Sequence, residues 1–236
     1  MGQNPNLTVL IPTFNEAENI AGLLQRIIAV LNNAGVVYEI IVIDDASVDS
    51  TPLLAENTLG VRGRVIRRRG VKRSLSLSVM DGINAAGGEN IIVMDADGSH
   101  PPEVLPELIH CLKSGYELVV PSRYVKGGGV KDFPFTRRLI SRFACSVGRS
   151  VTSINDTSSG FFGIKKSCLG GERLSPQGFK IGLEVFVKAR YRNFIEIPYI
   201  FENRKKGKSK LKGFTVLQYF LQVLGLIGYN LTKKCR

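Results

Sequence analysis

Glu89-Asn-Ile-Ile-Val-Met-Asp-Ala-Asp-Gly-Ser-His-Pro-Pro102 contains an apolar run, Ile91 to Met94, that stops at two carboxylates one residue apart, Asp95 and Asp97. The run reads as a buried strand, and a strand does not bury two charges, so the acids belong at its carboxyl end. In open α/β sheets that end faces the ligand crevice. A pair of hard oxygen ligands there suits Mg²⁺ or Mn²⁺ shared with a diphosphate. By itself, Asp-x-Asp followed by Gly and Pro fits a surface turn as well. The sequence on either side decides between the two.

Leu7 to Ile11 is a second apolar run, followed by Pro12-Thr-Phe-Asn-Glu16. Ile20, Leu23, Leu24, Ile27, Ile28 and Leu31 then recur at helical spacing as far as Gly35, and Asn15 with Glu18 has the spacing of a capping box. Tyr38 to Ile43 is a third run, ending on Asp44-Asp45-Ala-Ser47. A short helix entered through Ser50 and Pro52, a weak strand at Val65-Ile66 and a helix from Ser74 to Ala86 lead back to the central run. Beyond it, Pro101-Pro102 opens a helix closed by Gly115, and Glu117 to Pro121 is a further strand. The pattern then loosens to a helix from Pro134 to Val151, a loop at Asp156-Thr-Ser-Ser-Gly160 and a strand at Phe161 to Ile164. A helix from Gly182 to Tyr191 and an edge strand from Phe194 to Phe201, carrying Pro198, follow. Strands alternating with helices predict an α/β fold, a doubly wound, mostly parallel sheet with helices on both faces.

The composition bounds the chemistry. At 22% charged and 44% hydrophobic residues, neither disorder nor a polytopic membrane protein is indicated. Lys and Arg number 32 against 20 Asp and Glu, a formal net charge of +12, which favours polyanionic partners. Two basic runs, Arg62 to Arg73 and Arg204 to Lys212, lack the interleaved aromatics of a nucleic-acid surface, so no nucleic acid is expected. The four cysteines show no metal-ligand spacing and suit a reducing cytosol, and no secretory leader or myristoylation signal is expected.

If the three strand ends sit side by side, their acids form one crevice for a nucleotide and its metal. There is no G-x-x-x-x-G-K-[ST] for a P-loop and no G-x-G-x-x-G after the first strand, so a sugar nucleotide is the surviving candidate.

These residues resemble the family 2 inverting glycosyltransferases of the GT-A fold, and within them the dolichol-phosphate mannose synthase branch. The resemblance runs through Ile11-Pro-Thr-Phe-Asn-Glu16, Ile43-Asp-Asp-Ala-Ser47, Val93 to Pro101, Ser122-Arg-Tyr-Val-Lys-Gly-Gly-Gly129, Asp156 to Gly160 and Phe201 to Leu211. It implies an enzyme moving a sugar, mannose from GDP-mannose first among candidates, onto a polyprenyl or dolichyl phosphate. UDP-glucose or another donor, and a hydroxyl acceptor in polysaccharide synthesis, stay open as alternatives. By the resemblance, Pro12, Phe14, Glu16, Ile43 and Asp45 would hold base and ribose, while Asp95, Ala96 and Asp97 would surround the diphosphate. Asp95 and Asp97 would carry Mg²⁺ or Mn²⁺, with Asp97 the direct ligand. Arg204 and Lys210 would close over the donor and, with Asp97, form the catalytic set. Arg123, Arg137 and Ser141 match positions at the acceptor phosphate. Glu184 has a family counterpart without an assigned role. The chain departs from the family at Lys72-Arg-Ser-Leu-Ser-Leu-Ser78, commonly Gly-rich, and at Phe162, commonly Arg. Both departures bear on which sugar or base is used.

Gly213 to Leu231 is almost wholly apolar, with Thr215, Gln218 and Gln222 on one helical stripe. After the lysines of 204–212, such a helix suits an anionic membrane surface, lying in the interface. Its length also approaches a span, and a core helix is the third reading. The expected organisation is therefore a GT-A domain over 1–212 and a membrane-associating helix over 213–236, peripheral on a cytoplasmic membrane face. A membrane-anchoring partner subunit, or an anchor beyond Arg236, is left open.

Overall fold

The structure, a computed structural model, describes residues 4–131, 134–170, 174, 180–202 and 213–234. Its first half alternates strictly: β1 (Leu7–Thr13), α1 (Ile20–Asn33), β2 (Tyr38–Asp44), α2 (Thr51–Leu59), β3 (Gly63–Arg67), α3 (Leu75–Ala85), β4 (Asn90–Val93) and α4 (Leu105–Lys113). The second half adds β5 (Leu118–Ser122), β6 (Gly129–Val130), α5 (Phe135–Gly148), β7 (Phe162–Lys165), α6 (Ile181–Lys188), β8 (Phe194–Pro198), β9 (Ile200–Phe201) and α7 (Gly213–Lys234). One seven-stranded sheet runs β3-β2-β1-β4-β7-β5-β8, and β6 pairs with β9 in a small second sheet. Within the large sheet only β7 is antiparallel to its neighbours, β4 and β5.

The period-2 alternation of the strands splits the core between two faces. Val9, Ile11, Ile40, Val42 and Ile92 pack with α1, α2 and α4. Leu10, Ile41, Ile43, Ile91 and Val93 pack on the other side with α3 and α6. Both faces are therefore covered, which is why β1, β2 and β4 read as continuous apolar runs. A third cluster, with Val151, Leu183, Tyr219, Val223 and Leu226, seats α7 against α6 and the end of α5.

Three local expectations change. Asn15 does not cap α1: it has φ 53°, and the helix starts five residues later with Asn19 at its N-cap and no side-chain cap bond. The helix placed at 134–151 ends at Gly148. The edge strand placed at 194–201 breaks after Pro198, so that β8 pairs with β5 while β9 pairs with β6. Among the described residues no helix is long and apolar enough to cross a membrane, which removes the spanning reading of α7. Cys111, Cys145 and Cys168 are buried free thiols.

Candidate active site

Because β2, β1 and β4 are adjacent and parallel, their carboxyl ends open on one edge of the sheet; Thr13 lies in register with Asp44, and Leu10 with Val93. The chain leaves β1 toward β2 and β3, then returns across it to β4. That reversal is the switch point at which open α/β sheets leave a crevice. Pro12-to-Glu16, Asp44-to-Ser47 and Asp95-to-Asp97 follow these three strands at that end of the sheet.

The loops after β1 and β2 are locked together. Asn15 N–H donates to Ser47 Oγ (2.8 Å), Val48 N–H to Asn15 Oδ1 (3.0 Å) and Glu16 N–H to Thr51 Oγ1 (2.8 Å). Asn15 and Ala46 hold left-handed backbone, φ 53° and 59°, a strain of about 1–2 kcal/mol per residue that functional loops commonly carry. Pro12 and Ile43 are buried, and the Arg73 guanidinium lies 4.5 Å over the Phe14 ring. Asp45 is engaged from two sides: Arg68 Nη1 forms a short ion pair with Oδ1, and Ser74 N–H donates to Oδ2 at 2.7 Å. Arg68 is itself buried and reaches Asp81 at 2.7 Å. Sequence reasoning missed Arg68, which it had counted only as one cation of a run. The Ser-rich segment also has a local role, with Ser74 Oγ accepting from Leu77 N–H to cap α3.

At the end of β4 the Asp95 side chain is 38% exposed while Asp97 is buried, its Oδ1 accepting from Ser99 N–H at 2.9 Å. Ala96 between them is buried. His100 supports this turn from below, its Nδ1 accepting the Asp95 N–H at 3.1 Å and its ring stacked on Phe161 at 5.0 Å. Burial pushes the imidazole pKa down, against the pull of Asp95 and Asp97. The ring is therefore neutral, with its proton on Nε2, 4.0 Å from Asp95 Oδ2. Opposite, Gly160 passes so close that an added Cβ would sit 3.3 Å from Asp95 Oδ2. The missing side chain keeps the space over that carboxylate open. Two hard carboxylates beside such space fit Mg²⁺ or Mn²⁺. Among the described residues no group of three His, Cys, Asp or Glu is gathered for a metal.

The side expected to face the acceptor is basic. Arg123 makes a buried bidentate pair with Asp156, Nε to Oδ2 at 2.7 Å and Nη2 to Oδ1 at 2.6 Å, and Nη2 also reaches Ser158 Oγ at 2.6 Å. Burial would raise the Asp156 pKa, but the Arg123 charge and hydrogen bonds override it and hold the carboxyl below its ordinary value. Ser141 Oγ accepts from Tyr124 Oη at 2.7 Å. Arg123 and Tyr124 line a cavity of about 190 Å³ together with Gly128, Arg138 and Arg142. Arg138 Nε is buried there without a hydrogen-bond partner among the described residues. The expected Arg137 is on the same helix, but it is Arg138 and Arg142 that line the cavity. Arg204 and Lys210 lie outside the described residues.

Two positions left open by the sequence have structural answers. Phe162 is fully buried in the core, edge-on to Phe186 at 5.6 Å, and so takes no part in the crevice. Glu184 is buried and accepts from Lys188 Nζ at 2.7 Å, and Lys188 stands 5.4 Å from the Tyr229 ring of α7.

An apolar surface lies beside the basic cavity. Phe135, Leu139, Ile140 and Phe143 of α5 are exposed, as are Leu221, Leu224 and Leu231 of α7. Phe143 and Phe220 join the two helices, with ring centroids 6.1 Å apart. The sequence signal for α5 was present as apolar residues alternating with Arg137, Arg138 and Arg142, but it read as an ordinary helix.

Residues 8–170 match the family model described as glycosyl transferase family 2. The chain is 42% identical over 228 residues to a dolichol-phosphate mannosyltransferase of Pyrococcus furiosus, covering 95% of this chain and 64% of that protein, thus less than two thirds of its length. It is 35% identical to the dolichol-phosphate mannosyltransferase of Mycosarcoma maydis, covering 96% of this chain and 80% of that one. Among solved structures it is similar to glucosyl-3-phosphoglycerate synthase from Mycobacterium tuberculosis in complex with Mn²⁺, UDP and glucosyl-3-phosphoglycerate. The TM-score is 0.72 at 18% identity, covering 95% of this chain and 80% of that one.

Proposed function

Since the chain belongs to glycosyl transferase family 2, we propose that it transfers mannose from GDP-mannose onto a polyprenyl or dolichyl phosphate at a membrane surface, with inversion at the anomeric carbon. One observation carries the reading. Asp45, Asp95 and Asp97 follow β2 and β4 at the switch-point end of the sheet, Arg123, Arg138 and Arg142 line a cavity, and α5, which supplies two of those arginines, carries an exposed apolar row. Nucleotide diphosphate, lipid phosphate and prenyl chain each find a matching surface in that sequence.

Pro12, Phe14, Glu16, Ile43 and Asp45 are the residues for the nucleoside. Asp95, Ala96 and Asp97 serve the diphosphate, and Asp95 and Asp97 would hold Mg²⁺ or Mn²⁺, which supplies charge neutralisation of the leaving diphosphate when bound. A lipid phosphate is already anionic at neutral pH, so no strong general base is required of the protein. Its oxygen attacks the anomeric carbon as the bond from that carbon to the diphosphate oxygen breaks, and the diphosphate leaves with the electron pair. The residues' task is to hold two anions together. Arg123, with Ser141 and Arg137 nearby, belongs to the acceptor side, and Arg138 and Arg142 add two cations there. Arg204 and Lys210 are proposed to close over the donor.

A panel of labelled GDP- and UDP-sugars, each with polyprenyl phosphate or a hydroxyl acceptor, tests the proposal. GDP-mannose with polyprenyl phosphate should give the labelled lipid. Product only with UDP-sugars, or only with hydroxyl acceptors, would replace it.

A further inference from the structure

We infer that helix α7 is a positioning element of the transfer site, in which Tyr219 and Gln222 fix Lys180 and the 156–160 loop relative to Asp95. The inference rests on reading Asp95 as part of that site.

The side-chain amide of Gln222 grips the backbone of Lys180 at both ends: Lys180 N–H donates to Oε1 at 3.3 Å, and Nε2–H donates to the Lys180 carbonyl at 2.9 Å. One planar group satisfying both backbone atoms of the residue before α6 fixes the path of the chain there. The Lys180 ammonium extends to the carbonyl of Ser158 at 3.0 Å, where the charges of Asp95 and Asp156 both act on it. Three residues before Gln222, Tyr219 Oη donates to the Ala144 carbonyl of α5 at 3.0 Å and meets Thr157 Oγ1 at 2.9 Å. Thr157 lies between Asp156, which pairs with Arg123, and Ser158, which receives Lys180. Thr157, Ser158 and Lys180 are therefore all tied to one helix.

The junction has no slack. A Cβ at Gly148 would fall 2.2 Å from Thr157 Oγ1 and 2.4 Å from Tyr219 Oη. A helix needed only to cover a core would do so with Phe and Leu; here polar atoms are buried and paired, a cost justified where geometry must be specified. Both anchors lie on the packed side of α7 with Val223 and Leu226, while Leu221 and Leu224 point to the exposed side. Whatever seats the outer face of α7 is thereby coupled to the loop beside Asp95.

The test uses the full chain with Tyr219→Phe and Gln222→Met, which keep most of the side-chain volume and remove the polar anchors. Turnover is measured with a short, water-soluble prenyl phosphate without lipid, so that membrane binding plays no part. We expect kcat to fall roughly tenfold to a hundredfold, as for a misplaced reacting geometry. Donor KM, liposome binding and melting temperature should stay near those of the parent. Amide hydrogen exchange of residues 156–160, which needs no substrate, should rise in both variants. Unchanged exchange with kcat within twofold overturns the inference, and so does a kcat loss that only tracks a lowered melting temperature. If exchange rises while the parent chain turns over no nucleotide sugar, the functional reading fails and the mechanical coupling stands.

Discussion

Asp97 and Asp156 are both buried carboxylates, yet they answer to different demands. Asp97 lies in the turn after β4, outside the strand core, and accepts from Ser99 N–H, so Asp97→Ala should leave the melting temperature close to that of the parent and lower turnover by at least about a hundredfold, the scale of losing a principal electrostatic group. EDTA should silence the parent enzyme and Mn²⁺ should restore it. Activity that survives both treatments rules out a metal at this turn. Asp156 is instead half of a buried pair whose Arg123 partner is also almost fully covered. Asp156→Asn leaves that cation uncompensated and should cost about 3–5 kcal/mol in denaturant unfolding. Its pH dependence has a definite sign. The folded carboxyl titrates below the ordinary value of 3.8, so its contribution is complete above the unfolded pKa and is lost as pH falls through the folded one. Parent and variant should therefore converge in stability toward strong acid and stay apart at neutral pH.

At the scale of elements, α5 is where the sequence said least and the structure adds most. Its Phe135, Leu139, Ile140 and Phe143 repeat at a spacing that suits a helix packed on a core, and spacing alone cannot tell which apolar face remains uncovered. The strands behaved differently. Ile40 to Ile43 and Ile91 to Met94 are covered on both faces, and the sequence placed their acids at the strand ends on the condition that those ends sit side by side, which the adjacency of β2, β1 and β4 meets. What was not legible was long-range: the antiparallel insertion of β7 between β4 and β5, and the meeting of Arg68 with Asp45, which local pattern does not encode. Leu139→Ser with Phe143→Ser should weaken liposome binding, each exposed apolar group contributing up to about 1.5–3 kcal/mol on insertion. Co-sedimentation measures this; a double variant that pellets with vesicles as well as the parent removes α5 from the membrane contact.

For the whole molecule the relevant quantity is the net charge of +12, set against an apolar row on α5 and α7. Deleting 213–236 is a poor probe of membrane attachment, because Tyr219, Val223 and Leu226 are part of a core cluster with Leu183. Salt is the cleaner variable. Lys205, Lys206, Lys208 and Lys212 were expected to draw the chain to anionic lipid while Phe214, Leu217, Phe220, Leu221 and Leu224 insert; the lysines and the side chains of Phe214 and Leu217 lie outside the described residues, Leu221 and Leu224 are exposed, and Phe220 is half-buried against Phe143. Each basic residue near an anionic surface contributes on the order of 1 kcal/mol, and that attraction is confined to a Debye length of about 10 Å at 0.1 M salt and about 3 Å at 1 M. Apolar insertion has no such dependence. Binding to vesicles containing anionic lipid should therefore fall as salt rises and level off at the value measured on neutral vesicles. Turnover of a long-chain acceptor should follow the bound fraction, while turnover of a short soluble acceptor should change far less. Equal binding to neutral and anionic vesicles at low salt would remove the charge from the account, and complete release at high salt would remove the insertion.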